Sequence, residues 1–453
     1  MTACLIESLA TTEPLAELFS DQSVLQALLD FEVALARAEA RVGIVPHGAA
    51  ESIAAVSKAE MFDVAALSSE ILRAGTPGIP LAKALTERVR AKDAEAAGYV
   101  HWGATSQDVA DTALVLLLKR AQPILNEDIS RLEQALRRLS EEHRSTVMLG
   151  RTLMQGAPPV TFGLKAAGWL GAVRRTRERL DSSFSKVLIV QFGGASGTLA
   201  SLGEQGTAIA LALAKELGLV CPEAPWHTHR DRLANLLCDC GVLTGSLGKI
   251  ACDISLLMQN EVAEVSEPGG DGRGGSSTMP HKRNPIGSAV TLAAAHRVPG
   301  EVAAFLSAMV QEHERGVGGW QAEWPIVASV IQSTGVAVAS MAEVAEGLSV
   351  DSVRMRANID ATHGVIFAER AMMLLASRLG CDVAHKLLEE ATRKSVAQGV
   401  HLSAVLSEMP EVVSHIEPST LRQLELPEQY LGSAEAFRKA LLSSASEKPK
   451  KER

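Results

Sequence analysis

From Leu118 the apolar residues step by three and four: Leu118, Ala121, Leu125, Ile129, Leu132, Leu136 and Leu139. That is the period of one face of an α-helix, and it predicts a very long helix beginning after His101. A second segment is more regular still, with Leu233, Leu236, Cys240, Leu243, Leu247, Ile250, Ile254 and Leu257 alternating three and four without a break. Gly241, Gly245 and Gly248 fall on its other faces, which predicts close approach by neighbouring helices and enclosure in a bundle. Further helical stretches over about 161–188, 288–314 and 326–345 bring the middle of the chain to roughly five long helices. Before them, shorter helices are separated by turn signals at Val45-Pro46-His47-Gly48 and Gly75-Thr76-Pro77-Gly78-Ile79-Pro80, and from about Phe367 the helices shorten again. The expected fold is all-α with three helical domains: 1–110, a central long-helix bundle over 111–365, and a small C-terminal domain over 366–453. Seams of that length are hard for one chain to cover, so a homo-oligomer is expected.

Composition supports the helical reading. The 453 residues are 47% hydrophobic but only 4% aromatic, and alanine and leucine suit close-packed helices better than sheets. The net charge of -9 argues against a nucleic-acid partner, so an anionic ligand must meet a local basic pocket. Six scattered cysteines (Cys4, Cys221, Cys238, Cys240, Cys252, Cys381) read as free thiols in a reducing compartment. The N-terminal stretch has no basic region followed by an apolar core, and no segment reads as an uninterrupted membrane span. A cytoplasmic protein with no membrane partner is expected, its 448–453 tail a solvated end.

The chemistry concentrates in one loop. Five glycines fall within residues 269–275, followed closely by Ser276, Lys282 and Asn284 between prolines. Such a segment suits a lid that orders over a ligand, although a glycine run alone reads better as a flexible inter-helix linker. Gly270-x-Gly272-x-x-Gly275 matches a dinucleotide pattern formally, but it follows a helix and lacks the βαβ context. His227-x-His229 with Cys238-x-Cys240 imitates a metal set, but residues two apart on a helix point to different faces, so no metal is expected. Trp169, Trp226, Trp320 and Trp324 read as packing residues or pocket walls.

The stretch Gly275-Ser276-Ser277-Thr278-Met279-Pro280-His281-Lys282-Arg283-Asn284-Pro285 resembles the signature of the fumarase/aspartase superfamily, Gly-Ser-Ser-x-Met-Pro-x-Lys-x-Asn-Pro, at every specified position. The resemblance implies that Ser276 is the base that moves a proton α to a carboxylate, and that Lys282 and Asn284 hold the carboxylate. Building an enediolate requires cations and hydrogen-bond donors where charge develops. His101-Trp102-Gly103-Ala104-Thr105-Ser106-Gln107-Asp108 resembles the family's first motif. It implies that Thr105 and Ser106 bind a carboxylate and that His101 is an acid or a substrate contact. Gly150-Arg151-Thr152-Leu153-Met154-Gln155 resembles the family's Gly-Arg-Thr-His-x-Gln, with Leu153 where the histidine stands. Leucine transfers no proton, which puts the fumarase and adenylosuccinate lyase reactions in doubt.

A branch lacking that histidine is the bacterial 3-carboxy-cis,cis-muconate cycloisomerases. This chain resembles them through Gly150 to Leu170, at Trp226-His227-Thr228-His229-Arg230-Asp231-Arg232, and from Glu312-His313-Glu314-Arg315 to Trp324. The resemblance implies intramolecular addition of a carboxylate to a double bond, with a tricarboxylate substrate and no cofactor. It also implies a homotetramer whose active sites are shared between subunits. Read backwards, the leaving group is a carboxylate, which departs without protonation. Lys282 leads the expected cations, with Arg151 and Arg283 next and Arg230, Arg232, Arg273 and Arg315 behind; Thr152 and Gln155 complete the expected substrate contacts. The alternatives are an adenylosuccinate-lyase-like β-elimination served by His227 or His229, and a structural protein that has lost its chemistry.

Overall fold

The computed structural model describes residues 5–270, 274, 275, 279 and 282–443. Its helices include α1 (Asp21–Val42), α2 (Ser106–Glu142), α3 (Phe162–Val187), α4 (Gly206–Leu217), α5 (Asp231–Leu257), α6 (Ile286–Ala308) and α7 (Gly319–Gly347). Strands β1 (Val147–Thr152) and β2 (Gln155–Thr161) form an antiparallel hairpin between α2 and α3. The fold is all-α, as the apolar periodicity predicts. Every residue of both predicted seams, Leu118 to Leu139 on α2 and Leu233 to Leu257 on α5, is buried. Fully burying one leucine or isoleucine contributes about 1.5–3 kcal/mol, so these two rows account for much of what holds the helices.

The chain divides into two compact units: Met1–Ser130, Arg175–Gly248 and Val290–Ser340 form one, and Arg131–Arg174, Lys249–Ala289 and Met341–Arg453 the other. In the first, α1 starts at Ser20, whose Oγ accepts from the Ser23 amide at 3.3 Å, and ends at Gly43 with φ 86°. A leucine at Gly43 would meet the steric penalty of the left-handed region, which glycine escapes. Helix α1 packs Leu25, Leu28, Phe31 and Leu35 into a core shared with Ile209 and Leu213 of α4. Among the bundle glycines, a Cβ at Gly248 would sit 2.7 Å from the Ala295 Cβ of α6, at Gly241 it would make only ordinary contact with Val302, and at Gly245 it would meet open space. Close approach to α6 therefore explains Gly248 and not Gly245.

In the second unit the C-terminal helices bury Phe367, Leu375, Leu388, Leu402 and Leu406 around Val147 of β1. The hairpin is an addition to the helical expectation. Its ladder runs from Val147↔Thr161 to Thr152↔Gln155, with an irregularity between Met148 and Gly150. A Cβ at Gly150 would lie 2.3 Å from the Pro158 carbonyl oxygen, so this kink requires glycine.

By length and composition alone, α5 and α7 are apolar enough to cross a bilayer, contrary to the expectation from sequence that no segment is. Their most apolar windows are 50% and 61% buried inside the protein. Such burial is what the core helix of a bundle requires.

Candidate active site

In the first unit, the resemblance's leading motif forms a tight turn into α2. Asp108 organises it. Its Oδ2 accepts from the Thr105 amide at 3.1 Å, a capping-box bond that closes the start of α2. The same carboxylate accepts from Gly193 N at 3.0 Å, Gly194 N at 2.9 Å, Gln191 Nε2 at 3.0 Å and His227 Nε2 at 2.9 Å. An ionised carboxylate only accepts, so His227 carries its hydrogen on Nε2 and is buried as a structural donor. That removes His227 as a substitute acid, while His229 is exposed.

His101 stands at φ 59°, in the left-handed region, with Gly103 at φ 67° just after it. Its Nδ1 lies 2.6 Å from Glu32 Oε1 of α1, and Glu32 is buried. Burial works against the imidazolium, but the Glu32 charge, its hydrogen bond and Asp108 outweigh it, so His101 titrates above the usual histidine range. Thr105 and Ser106 are half-buried beside it. Ser106 sits so close to Gly78 that a Cβ there would come within 2.6 Å of the Ser106 Cα, which explains the glycine in the Gly75–Pro80 turn. The Thr105 hydroxyl accepts from Arg315 Nη1 at 3.1 Å, and Arg315 Nη2 donates to the carbonyls of Gly194 (3.4 Å) and Ala195 (2.8 Å). All of these acceptors are neutral. Among the described residues Arg315 has no carboxylate partner, so its charge is available to an anion.

Arg230 is the opposite case and leaves the set of candidate cations. It is 1% exposed, held by Asp111 at 2.7 and 3.0 Å and by Glu323 at 2.7, 2.9 and 3.1 Å. One guanidinium between two carboxylates leaves net negative charge; burial pushes Glu323 upward despite Arg230. Trp320 Nε1 completes Asp111 at 3.0 Å.

In the second unit, Leu153 and Met154 form the two-residue turn of the β1–β2 hairpin, at φ 50° and 66°. Positive φ at both positions is the twist-matched hairpin geometry, usually taken by Asn-Gly. Leu153 is 97% exposed and Met154 70%. The residue where the family carries an acid is thus an apolar turn tip. Thr152 and Gln155 flank it as an exposed cross-strand pair. Arg151 is bound to Glu264 at 2.7 and 3.0 Å, with Asn358 donating to the same carboxylate at 2.8 Å. This pairing neutralises Arg151 and ranks it below Lys282 as a ligand for substrate.

The signature loop is closed at its base in the same unit. Buried Glu267 accepts from Gly287 N at 2.9 Å, Ser288 N at 2.9 Å and Ser288 Oγ at 2.6 Å, capping the start of α6. Negative charge at a helix start is favourable, and here it also ties the loop's entry to its exit. The Asn284 backbone N–H donates to Gly274 O at 2.9 Å, and Gly274 takes φ 68°. Lys282 and Arg283 are exposed at this neck, and Asn284 is half-buried. Ser276 and Arg273 lie outside the described residues.

Sequence reasoning did not single out Glu32 or Glu264, and named Asp108 without giving it a role. For Asp108 the signal was present as Thr105-x-x-Asp108, the spacing of a capping box. For Glu32 it lay in α1, where Leu25, Leu28, Glu32, Leu35 and Glu39 step by three and four, so two acids occupy an apolar stripe.

Residues 8–300 match the family model described as Lyase, and residues 364–441 the one described as Adenylosuccinate lyase C-terminus. The 3-carboxy-cis,cis-muconate cycloisomerase of Bradyrhizobium diazoefficiens is 49% identical, over 94% of this chain and 94% of its own. That of Pseudomonas aeruginosa is 50% identical over 94% of this chain and 92% of its own. The crystal structure of 3-carboxy-cis,cis-muconate lactonizing enzyme from Pseudomonas putida matches with a TM-score of 0.91 at 46% identity, covering 96% of this chain and 98% of that one. With the signature at 275–285, the capped turn at 101–108 and similarity of this extent, the chain belongs to the lyase family of the fumarase/aspartase superfamily, alongside the 3-carboxy-cis,cis-muconate cycloisomerases.

Proposed function

We propose that the protein is a cycloisomerase that interconverts 3-carboxy-cis,cis-muconate and 4-carboxymuconolactone, needing no cofactor, in the protocatechuate branch of aromatic-compound degradation. A carboxylate oxygen of the substrate bonds to the β-carbon of a conjugated double bond. The π pair moves to the carbon α to another carboxylate, forming an enediolate, and that carbon takes a proton. Lys282, Arg283 and Asn284 at the loop neck, Thr105 and Ser106 at the first turn, and Thr152 and Gln155 beside the hairpin tip supply donors for the three carboxylates. The addition transfers one proton, and His101 and Ser276 are the two candidate groups for it.

The observation that carries this reading is Leu153. A positioned general acid contributes about 10²–10⁴ in rate when an amine or hydroxide must leave, and Leu153 has no proton to give. In the reverse of lactone formation the leaving group is a carboxylate, stable as an anion, so the missing acid costs nothing. Adenylosuccinate cleavage would need an acid for the leaving amine besides the group that moves the α-proton, and His227 is committed to Asp108. We further propose a cytoplasmic homotetramer in which motifs from different subunits complete each site.

The test is lactone formation in D2O followed by proton NMR. The reading expects carboxymuconolactone bearing one deuterium on the carbon α to a carboxylate, and a loss of at least about 10²-fold in both Ser276→Ala and Lys282→Met. Full turnover in Ser276→Ala would remove that serine's role, and no lactone from the intact protein would remove the function.

A further inference from the structure

We propose that Glu32 is the positioning residue of the active site: through its carboxylate on Nδ1 it fixes the tautomer of His101 and holds the ring charged, so that Nε2–H is the proton delivered to the substrate's α-carbon. This deepens the reading above and rests on His101 moving that proton.

Three features of the structure converge on Glu32. Its Oε1 lies 2.6 Å from His101 Nδ1, while Oε2 has no hydrogen-bond partner among the described residues, so His101 is the group seen to stabilise this buried carboxylate. A carboxylate accepts and does not donate, so Nδ1 carries the hydrogen and the second ring proton must sit on Nε2. Among the described residues Nε2 has no protein partner, which leaves it for a ligand. Finally, the ring is held at φ 59°, outside the broad helical and extended regions, by the turn that Asp108 closes. Backbone strain retained beside a buried ion pair is the pattern of a preorganised site.

The surrounding charges favour this division of labour. From α1, Glu39 faces the same region, but burial and then the Glu32 charge push it up to about 9, so it is neutral near pH 7 and Glu32 carries the local negative charge. From the start of α2, Asp108 adds a more distant negative charge, itself satisfied by His227 and backbone amides. Arg315, at the Thr105 hydroxyl, is the nearby cation. In lactone formation the proton passes from Nε2 to the α-carbon as the enediolate pair forms the C–H bond, leaving neutral imidazole that takes a proton back from water. In the reverse direction the same nitrogen accepts it.

The test uses the whole protein with 13Cε1-labelled histidine, the His101 signal being assigned by its loss in His101→Gln. In Glu32→Gln, His101 should titrate at lower pH than in the unaltered protein. The alkaline limb of kcat for lactone formation should move down with it, with a loss of about tenfold or more on that limb and KM little changed. Glu32→Asp should restore part of both shifts, and Glu39→Gln, which removes no charge near pH 7, should leave both in place. An unshifted His101 titration in Glu32→Gln, or an equal shift in Glu39→Gln, overturns the assignment to Glu32 whatever the chemistry. A shifted titration with an unmoved kcat limb overturns the role of His101 in proton transfer, and with it the use of Glu32, while leaving cycloisomerase activity itself intact.

Discussion

Glu39→Gln should make the protein more stable, increasingly so as pH rises. Glu39 is fully buried on α1, and among the described residues neither carboxyl oxygen has a hydrogen-bond partner. Burial, reinforced by Glu32, raises its pKa from 4.5 to about 9. Because the folded value is the higher one, the folded chain keeps a proton that the unfolded chain releases, and stability falls as pH rises from about 4.5 towards 9. At pH 7 the penalty depends only on the unfolded value, 2.5 units lower. At about 1.4 kcal/mol per unit that is about 3 kcal/mol. Glutamine keeps the volume and removes the titration, but its amide meets the same unpartnered site at a cost of about 1–2 kcal/mol, so the net gain at pH 7 is about 1–2 kcal/mol. The decisive quantity is the slope, because the amide cost is constant with pH. Urea unfolding at fixed protein concentration, at pH 5.5, 7 and 8.5, should show the variant pulling ahead by roughly 1.4 kcal/mol per pH unit. The contribution of His101, also raised and therefore lost as pH climbs through its folded value, is common to both proteins and cancels in the difference. Parallel stability curves would refute the assignment of a neutral Glu39.

Three further outcomes are expected. Arg230→Met leaves Asp111 and Glu323 buried without their cation and should cost about 3–5 kcal/mol, read as a lower midpoint in urea. Glu267→Ala removes three hydrogen bonds at the start of α6 and should destabilise by about 1–3 kcal/mol; limited proteolysis should cut within 268–285 faster, and activity should fall with it. Met154→Gly relieves a left-handed residue at an exposed turn and should raise stability by up to about 1 kcal/mol by the same urea assay, since glycine takes that conformation without penalty.

Much of the architecture is written in periodicity. The rows Leu118–Leu139 and Leu233–Leu257 are buried throughout because a step of three and four permits only one face of a helix, and that face needs a partner. Periodicity is silent where backbone geometry decides. The β1–β2 hairpin contains Pro158 and Pro159 and turns at Leu153-Met154, so it shows neither the alternation of a strand nor an Asn-Gly turn. Charge type is legible and charge partnership is not: Arg230 and Arg315 look alike in sequence, yet one is sealed between two carboxylates and the other rests on neutral oxygens. Glu32 and Glu39 were visible as acids on an apolar stripe, but only the turn of the chain at 101–103 brings a histidine to one of them. The signature loop identifies its chemistry by residue order, whereas the Glu267 clamp that closes it depends on a contact across 20 residues.

The most direct test is the near-UV absorbance of purified protein incubated with 3-carboxy-cis,cis-muconate, in parallel with adenylosuccinate, argininosuccinate and fumarate. Rapid, chelator-insensitive loss of the conjugated diene, with no turnover of the other three, is the predicted result. An inert diene together with cleavage of adenylosuccinate would contradict it, and would mean that another residue supplies the acid that Leu153 cannot.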